Sequence, residues 1–362
     1  MIMDTSASSI SPNDELESSH LPLINGLPDH IALFCLARVP RKYHTVLKCV
    51  SRSWRDLVCS EEWREYRQKN NLSESWIYAL CRDKGTDQVS CYVLDPSFSR
   101  QRWKSIPGLP SRCLKRKGMA FEAIANKLYI LGGCSWSEDA TDEVYCYDVA
   151  MNTWSEAASM SSARCYFGCE SMDGKIYAIG GYGLGTSDPH SWDTYNSSTN
   201  SWESRSDPNI ILDIEDSMVM DGKIYIRSRT STIPPHVYMA VYNPLSDKWK
   251  QIDADLASGW RGPIVAVDDT LYVLDQSLGT KLMTWNKNSR EWGLTCRLSP
   301  LLPRPPCQMV AIGRKIFIIG KGLSTVVLDI DNVGNADGMI ASTSIPVFSS
   351  DDDVISCKCV SI

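Results

Sequence analysis

No stretch of 18 apolar residues occurs in this chain of 362 residues, so nothing in it reads as a membrane-crossing helix. Excess positive charge is missing as well. With 37 Lys+Arg against 43 Asp+Glu the net charge is −6, whereas a phosphate-binding face needs a basic surplus. Neither a membrane nor a nucleic acid is therefore expected as a partner. Histidine is scarce: of the five, only His190 and His236 lie beyond residue 44. Two loop histidines do not supply the clustered nitrogen ligands of a copper site, and no nucleophile signature accompanies them. The fourteen cysteines form no paired CxxC motifs, which removes the usual zinc cage. No catalytic centre, metal site or cofactor is expected.

The first twenty residues, MIMDTSASSISPNDELESSH, lack the positive flank and apolar core of a secretory signal. They read as a Ser-rich, acidic tail expected to be disordered. Without a signal the cysteines are expected as reduced thiols, most of them small buried hydrophobes, in the cytosol or nucleus.

What the chain does have is a repeat. KLYILGG from Lys127, KIYAIGG from Lys175, KIYIRSR from Lys223, TLYVLDQ from Thr270 and KIFIIGK from Lys315 share one pattern. Their aromatic residues, Tyr129, Tyr177, Tyr225, Tyr272 and Phe317, are spaced by 48, 48, 47 and 45. A weaker copy, WIYALCR, places Tyr78 another 51 residues upstream, which makes six units. After each motif an aromatic is followed by Asp or Asn: Tyr147-Asp148, Tyr195-Asn196, Tyr242-Asn243 and Trp285-Asn286. Seven residues beyond each aromatic stands a tryptophan, Trp154, Trp202, Trp249 or Trp292. The small polar residues between them suit a tight hairpin.

A further apolar run precedes each motif, so every unit holds four short strands in meander order. Four-stranded units repeating at this period are β-propeller blades. The final run, VISCKCVSI from Val354, resembles the first strand that the unit at Trp76 lacks. It is expected to complete the first blade and lock the ring.

Gly132-Gly133 and Gly180-Gly181 end their strands as double glycines ahead of the Tyr and Trp, and over residues 76–362 the chain resembles the kelch repeat. Arg227-Ser228, Asp275-Gln276 and Gly320-Lys321 depart from the double glycine. The WD-type alternative fits less well, because Trp192-Asp193 is a single occurrence. The repeated Gly, Tyr and Trp residues are expected to pack blades rather than bind ligands.

Residues 21–66 differ in character. Pro28 suits the start of a helix reaching about Arg38, which Val39-Pro40 stops. Tyr43, Val46, Leu47 and Val50 fall on one face of a second helix. Ser51 or Ser53 suits the cap of a third, with Trp54, Leu57 and Val58 inside. Three short helices bury too little to satisfy their apolar residues, which points to a permanent partner. Leu27-Pro28, Ile31, Leu36, Val39-Pro40, Leu47, Val50-Ser51, Trp54 and Leu57 resemble the F-box in order and spacing. Residues 67–75 are left as a linker.

An F-box followed by kelch blades resembles the F-box/kelch-repeat family. That resemblance implies the substrate-receptor subunit of a modular ubiquitin ligase. It would dock a Skp-class adaptor, and through it cullin and RING subunits, and hold an unknown protein substrate on the propeller. By position, Leu27, Pro28, Ile31, Leu36, Val50 and Trp54 are the adaptor candidates. The long connections, Cys134 to Asp142, Tyr182 to Asp193, Arg227 to Val237, Leu109 to Lys117 and Leu298 to Pro306, share one face, where recognition usually resides. That face is expected to carry Trp136, His190, Trp192, His236 and Trp260. Arg112, Arg164, Arg261 and Arg304 join them, since guanidinium groups suit acidic peptides. The substrate candidates are Arg112, Trp136, Arg164, Trp192, Arg261 and Arg304. Two other classes stay open: a kelch-type oxidase, which needs a further nitrogen ligand, and a kelch scaffold protein, which leaves the F-box unexplained.

Overall fold

The computed structural model describes residues 22–97, 102–183, 188–229, 237–252, 255–299, 304–333, 343–345, 348 and 351–362. The expected N-terminal tail and His236 lie outside the described residues. The chain divides into two compact units, residues 1–72 and 73–362.

The first unit is helical. Helix α1 spans Asp29–Ala37, with Pro28 one position before it as the cap, followed by a 3-10 turn at Arg41–Tyr43 and helix α2 at His44–Val50. Helix α3 covers Arg52–Cys59, capped by Ser51, whose hydroxyl accepts the Trp54 amide at 3.1 Å. A fourth helix, α4, runs Glu61–Lys69 and is capped in the same way by Ser60. It crosses the boundary expected at residue 66 and takes in the first three residues of the segment expected as a linker. Its reason is packing: Trp63 and Arg67 are fully buried and complete a core with Leu36, Ala37, Leu47 and Val58.

Arg67 closes this unit. Its Nη1 donates to the carbonyls of Ala37 and, at 3.2 Å, Val39, and its Nη2 donates to Leu72 at 2.6 Å. A cation is thereby placed on the carbonyl end of α1, where the helix dipole favours it.

The second unit is a six-bladed propeller. Six four-stranded antiparallel sheets each run from an innermost to an outermost strand in chain order, except the first. In blade one the innermost strand is Asp353–Ser361, paired with Ser75–Arg82 from Ser75↔Ser361 to Arg82↔Asp353. The C-terminal segment closes the ring as the sequence implied. The other innermost strands are Ala120–Ile124, Gly168–Met172, Ile214–Met220, Ile264–Val267 and Gln308–Ile312.

The repeated residues have repeated jobs. Tyr147, Tyr195, Tyr242 and Trp285 lie directly opposite Trp154, Trp202, Trp249 and Trp292, with ring centroids 5.0, 5.0, 5.4 and 5.3 Å apart. The Asp or Asn after each aromatic accepts a backbone amide two residues on, as with Asp148 and Ala150 at 2.8 Å or Asn196 and Ser198 at 3.0 Å. That is an Asx-turn, which explains the pair seen in the sequence. The tyrosine hydroxyls then donate to Asn152, Asn200 and Asp247, which hold φ of 55, 50 and 51° at the hairpin corner. Blade five has Trp285, with no hydroxyl to satisfy, and Arg290 takes that corner instead.

The double glycines follow from close approach. A Cβ on Gly132 would sit 2.4 Å from the Arg164 carbonyl oxygen, and one on Gly181 2.8 Å from that of Cys165. In blade four the strand Lys223–Arg229 runs straight through this point, and the pair that stands where the glycines do is Ser228-Arg229, one position beyond the Arg227-Ser228 expected, in extended backbone that needs no glycine.

Candidate functional site

Two surfaces are candidates. On the helical unit, Ile31 and Phe34 of α1 are exposed, as are Tyr43 before α2 and Val46 and Val50 on it, the last two by 62% and 58%. Helix α2 turns only His44 and Leu47 inward. The stripe Tyr43, Val46, Leu47, Val50 therefore does not line the core as a whole: three of its four residues face outward. Arg38 lies over the Phe34 ring at 3.4 Å and Lys42 over Tyr43 at 4.9 Å, giving the apolar stripe a basic border.

Of the six adaptor candidates, Pro28, Ile31 and Val50 are exposed, and Leu27 and Trp54 are half-buried. Trp54 donates its indole N–H to the Leu23 carbonyl at 2.6 Å, tying the N-terminal turn to α3. Leu36 is a core residue, because its side chain points between the helices onto Trp63. Phe34, Tyr43 and Val46 are the exposed residues that sequence reasoning left out of the surface.

In the propeller the strands alternate in direction. Connections between second and third strands and the links between blades therefore emerge at one end. On it Trp136 is 92% exposed, with the Lys117 ammonium 5.5 Å from its ring. Tyr166 and Tyr182 are exposed beside it. The backbone joins these residues: Lys117 pairs with Cys134, the Tyr166 amide donates to Gly118 at 2.9 Å, and Cys165 pairs with Tyr182. Tyr166 holds φ 51°, which is costly for an aromatic residue. A Cβ at position 118 would meet its backbone nitrogen at 2.7 Å, so glycine is needed there.

The other substrate candidates divide. Arg112 is exposed and pairs with Glu143 at 2.6 Å, which Arg116 also holds at 2.8 Å. Burial pushes the Glu143 carboxyl up, yet hydrogen bonds from Arg116, Tyr145 and Arg112 outweigh it and hold the group below its ordinary range. Arg261 and Arg304 are exposed; Arg261 donates Nε to Ser258 at 3.1 Å.

Arg164 and Trp192 are not surface groups. Arg164 is buried, donating to Gly180 at 2.8 Å and Ser191 at 3.1 Å and pairing with the buried Asp193 at 3.0 Å. The strand Ser191–Asn196 begins earlier than expected, so Trp192 lies inside blade three. It stacks on Tyr177 at 5.9 Å and meets Tyr242 of blade four at 4.8 Å. Trp260 is likewise buried, its N–H donated to Asp216 at 2.9 Å.

The innermost strands surround a channel of about 900 Å³. Its wall carries Lys358 of blade one, which donates to Glu122 of blade two at 2.5 Å. Ser171 of blade three donates to Glu122 at 3.2 Å, and Ser217 of blade four to Glu170 at 2.8 Å. Each bond crosses from one blade to the next. Among the described residues no group of three or more His, Cys, Asp or Glu is placed to hold a metal ion.

Helices with an exposed apolar stripe, joined in one chain to a ring of kelch-patterned blades, define a class. The F-box domain model matches residues 24–65, and the FKB95, Kelch-repeats domain model matches residues 76–324. The chain belongs to the F-box/kelch-repeat family. It is 50% identical to the F-box/kelch-repeat protein SKIP4 of Arabidopsis thaliana over 348 residues, which is 95% of this chain and 96% of that protein. It is 27% identical to SKIP30 over 351 residues, 93% and 94% of the two chains, and 27% identical to At1g30090 over 325, 86% and 80%, both from Arabidopsis thaliana.

Proposed function

We propose that this protein is the substrate-recognition subunit of a Skp-cullin-F-box ubiquitin ligase. The observation that carries the reading is the outward apolar stripe of Ile31, Phe34, Tyr43, Val46 and Val50 on a unit of four short helices. Such surface is unfavourable in water and is stable when a partner covers it. The F-box match supports a Skp-class adaptor as that partner, with cullin and RING subunits bound through it. The propeller end bearing Trp136, Tyr166 and Tyr182 holds the protein substrate, with Arg112, Arg261 and Arg304 at its border. Other subunits transfer ubiquitin, and this chain contributes proximity and selection. Its free thiols suit the reducing cytosol or nucleus.

Affinity purification from cells with the proteasome inhibited tests both halves. A Val46→Glu/Val50→Glu variant changes only exposed positions, so it keeps its fold and loses adaptor and cullin. A Trp136→Ala/Tyr182→Ala variant keeps adaptor and cullin and loses proteins whose abundance depends on the ligase. Retention of the adaptor by the first variant refutes the docking surface.

A further inference from the structure

Blade four carries a surface that its repeat does not require. The groove on one face of its outer strands has a cavity volume of about 550 Å³ and is lined by Lys223, Lys248 and Lys250 around Tyr225, Val241 and Ile252. Lys248 and Lys250 flank Trp249 and so emerge on the same face, about 6–7 Å apart along the strand. They lie opposite Asn243 and Val241, and Val241 in turn lies opposite Tyr225. Lys223 stands two strands inward, about 9–10 Å across the sheet.

Blades two, three and five act as internal controls, because they share the facing aromatic pair. The positions flanking the outer-strand tryptophan are Thr153 and Ser155 in blade two, Ser201 and Glu203 in blade three, and Glu291 and Gly293 in blade five. Blade one has Arg102 and Lys104 there, but Trp76 where blade four has Lys223. Lys127, Lys175 and Lys315 stand where Lys223 does, so what sets blade four apart is the pair Lys248 and Lys250, which packing of the Tyr–Trp pair does not call for, added to that repeat lysine.

Among the described residues none of the three lysines forms an ion pair. Two carboxylates close to them in the sequence are engaged elsewhere: Asp221 by Lys287 at 3.0 Å and Asp247 by Arg205. In a chain of net charge −6 this local positive field is an exception.

We propose that this groove binds an organic anion: a carboxylate or phosphate head held by Lys223, Lys248 and Lys250, on an apolar body received by Tyr225, Val241 and Ile252. The volume falls in the range of small-ligand sites. Lysines hold the head as point charges on flexible stems, so the site selects charge and the floor selects the body. The inference stands apart from the ligase reading.

Isothermal titration of the full chain with phenyl phosphate tests it, with benzyl alcohol as the neutral comparator and inorganic phosphate as the head alone. Phenyl phosphate binds more tightly than either, and added salt weakens it. Lys248→Ala/Lys250→Ala binds it about ten-fold more weakly with an unchanged circular dichroism spectrum. Arg102→Ala/Lys104→Ala in blade one leaves the affinity unaltered. A phosphoserine peptide flanked by leucines serves as a second probe; whichever probe binds more tightly identifies a protein-borne or a free anion as the natural source. Phenyl phosphate binding no better than benzyl alcohol, no better than inorganic phosphate, or equally in the Lys248→Ala/Lys250→Ala variant, overturns the proposal.

Discussion

At the scale of single residues, the helical unit depends on two buried basic side chains, His44 and Arg67. His44 packs edge-on against Trp63, ring centroids 5.5 Å apart, and donates Nε2–H to the Val39 carbonyl at 3.2 Å. Burial, then the nearby Arg67 and to a lesser degree Arg41 and Lys48, depresses its pKa from 6.5 to about 4, against the Val39 bond that favours the charged form. The unfolded chain therefore takes up the proton first. Stability is full above pH 6.5 and falls as the pH drops toward 4, by on the order of 3 kcal/mol at most. An NMR titration of His44 beside acid unfolding of the helical unit checks this, and His44→Gln flattens the profile. Arg67→Ala leaves the carbonyls of Ala37, Val39 and Leu72 without their donor, at a cost of roughly 3 kcal/mol or more. Loss of less than about 1 kcal/mol in urea unfolding would show that water replaces the guanidinium without strain.

Among elements, the clearest contrast lies between strands and short helices. The blades were legible because their residues repeat: one Tyr, one Asx corner and one Trp recur at fixed spacing, and each repetition confirms the others. Helix α2 was not, since a stripe at i, i+3, i+4 and i+7 looks alike whether it faces a core or a partner. Only the surplus of apolar residues over available core hinted at the outward face. Arg164 and Trp192 were misread for a related reason. Both stand near loops in sequence, and the early start of the strand Ser191–Asn196 draws them into the seam between blades.

The innermost strands also concentrate charge, with consequences for pH. Burial raises Glu170 from 4.5 to about 7, opposed by Lys358, and raises Asp216 from 3.8 to about 6, opposed by Arg227 and Trp260. Here the folded protein holds its protons more tightly than the unfolded chain. The favourable contribution is present below about pH 4.5 and is lost as the pH rises through 7 for Glu170. Glu170→Gln, which keeps the acceptor for Ser217, accordingly raises Tm by roughly 2–6 °C at pH 8 and by little at pH 4.5. Calorimetry at the two pH values decides it; a lower Tm at pH 8 would mean that the anion supports the ring through Lys358.

The propeller as a whole is held by a join between its two ends. Val354, Val360 and Ile362 are buried in the closing segment, against clusters that include Ile77, Ala79, Leu80 and Phe121. Burying an aliphatic side chain contributes about 1.5–3 kcal/mol, so these three together approach the whole stability of a typical domain, about 5–15 kcal/mol. The strand also supplies Lys358 to Glu122, the first of the bonds that pass from blade to blade around the channel. Removing residues 353–362 therefore does more than weaken blade one. It uncovers the inner edge of Ser75–Arg82 and strips a wall from blades two and six at once. The truncated chain is expected to lose its single cooperative thermal transition and to expose sheet edges that aggregate. A synthetic peptide of residues 351–362, added in trans during refolding, restores the transition, whereas the same peptide with Val354→Asp and Val360→Asp does not. A truncated chain that melts cooperatively at an unchanged temperature would place the closing strand outside the folding unit and leave the ring to be held by the other five blades.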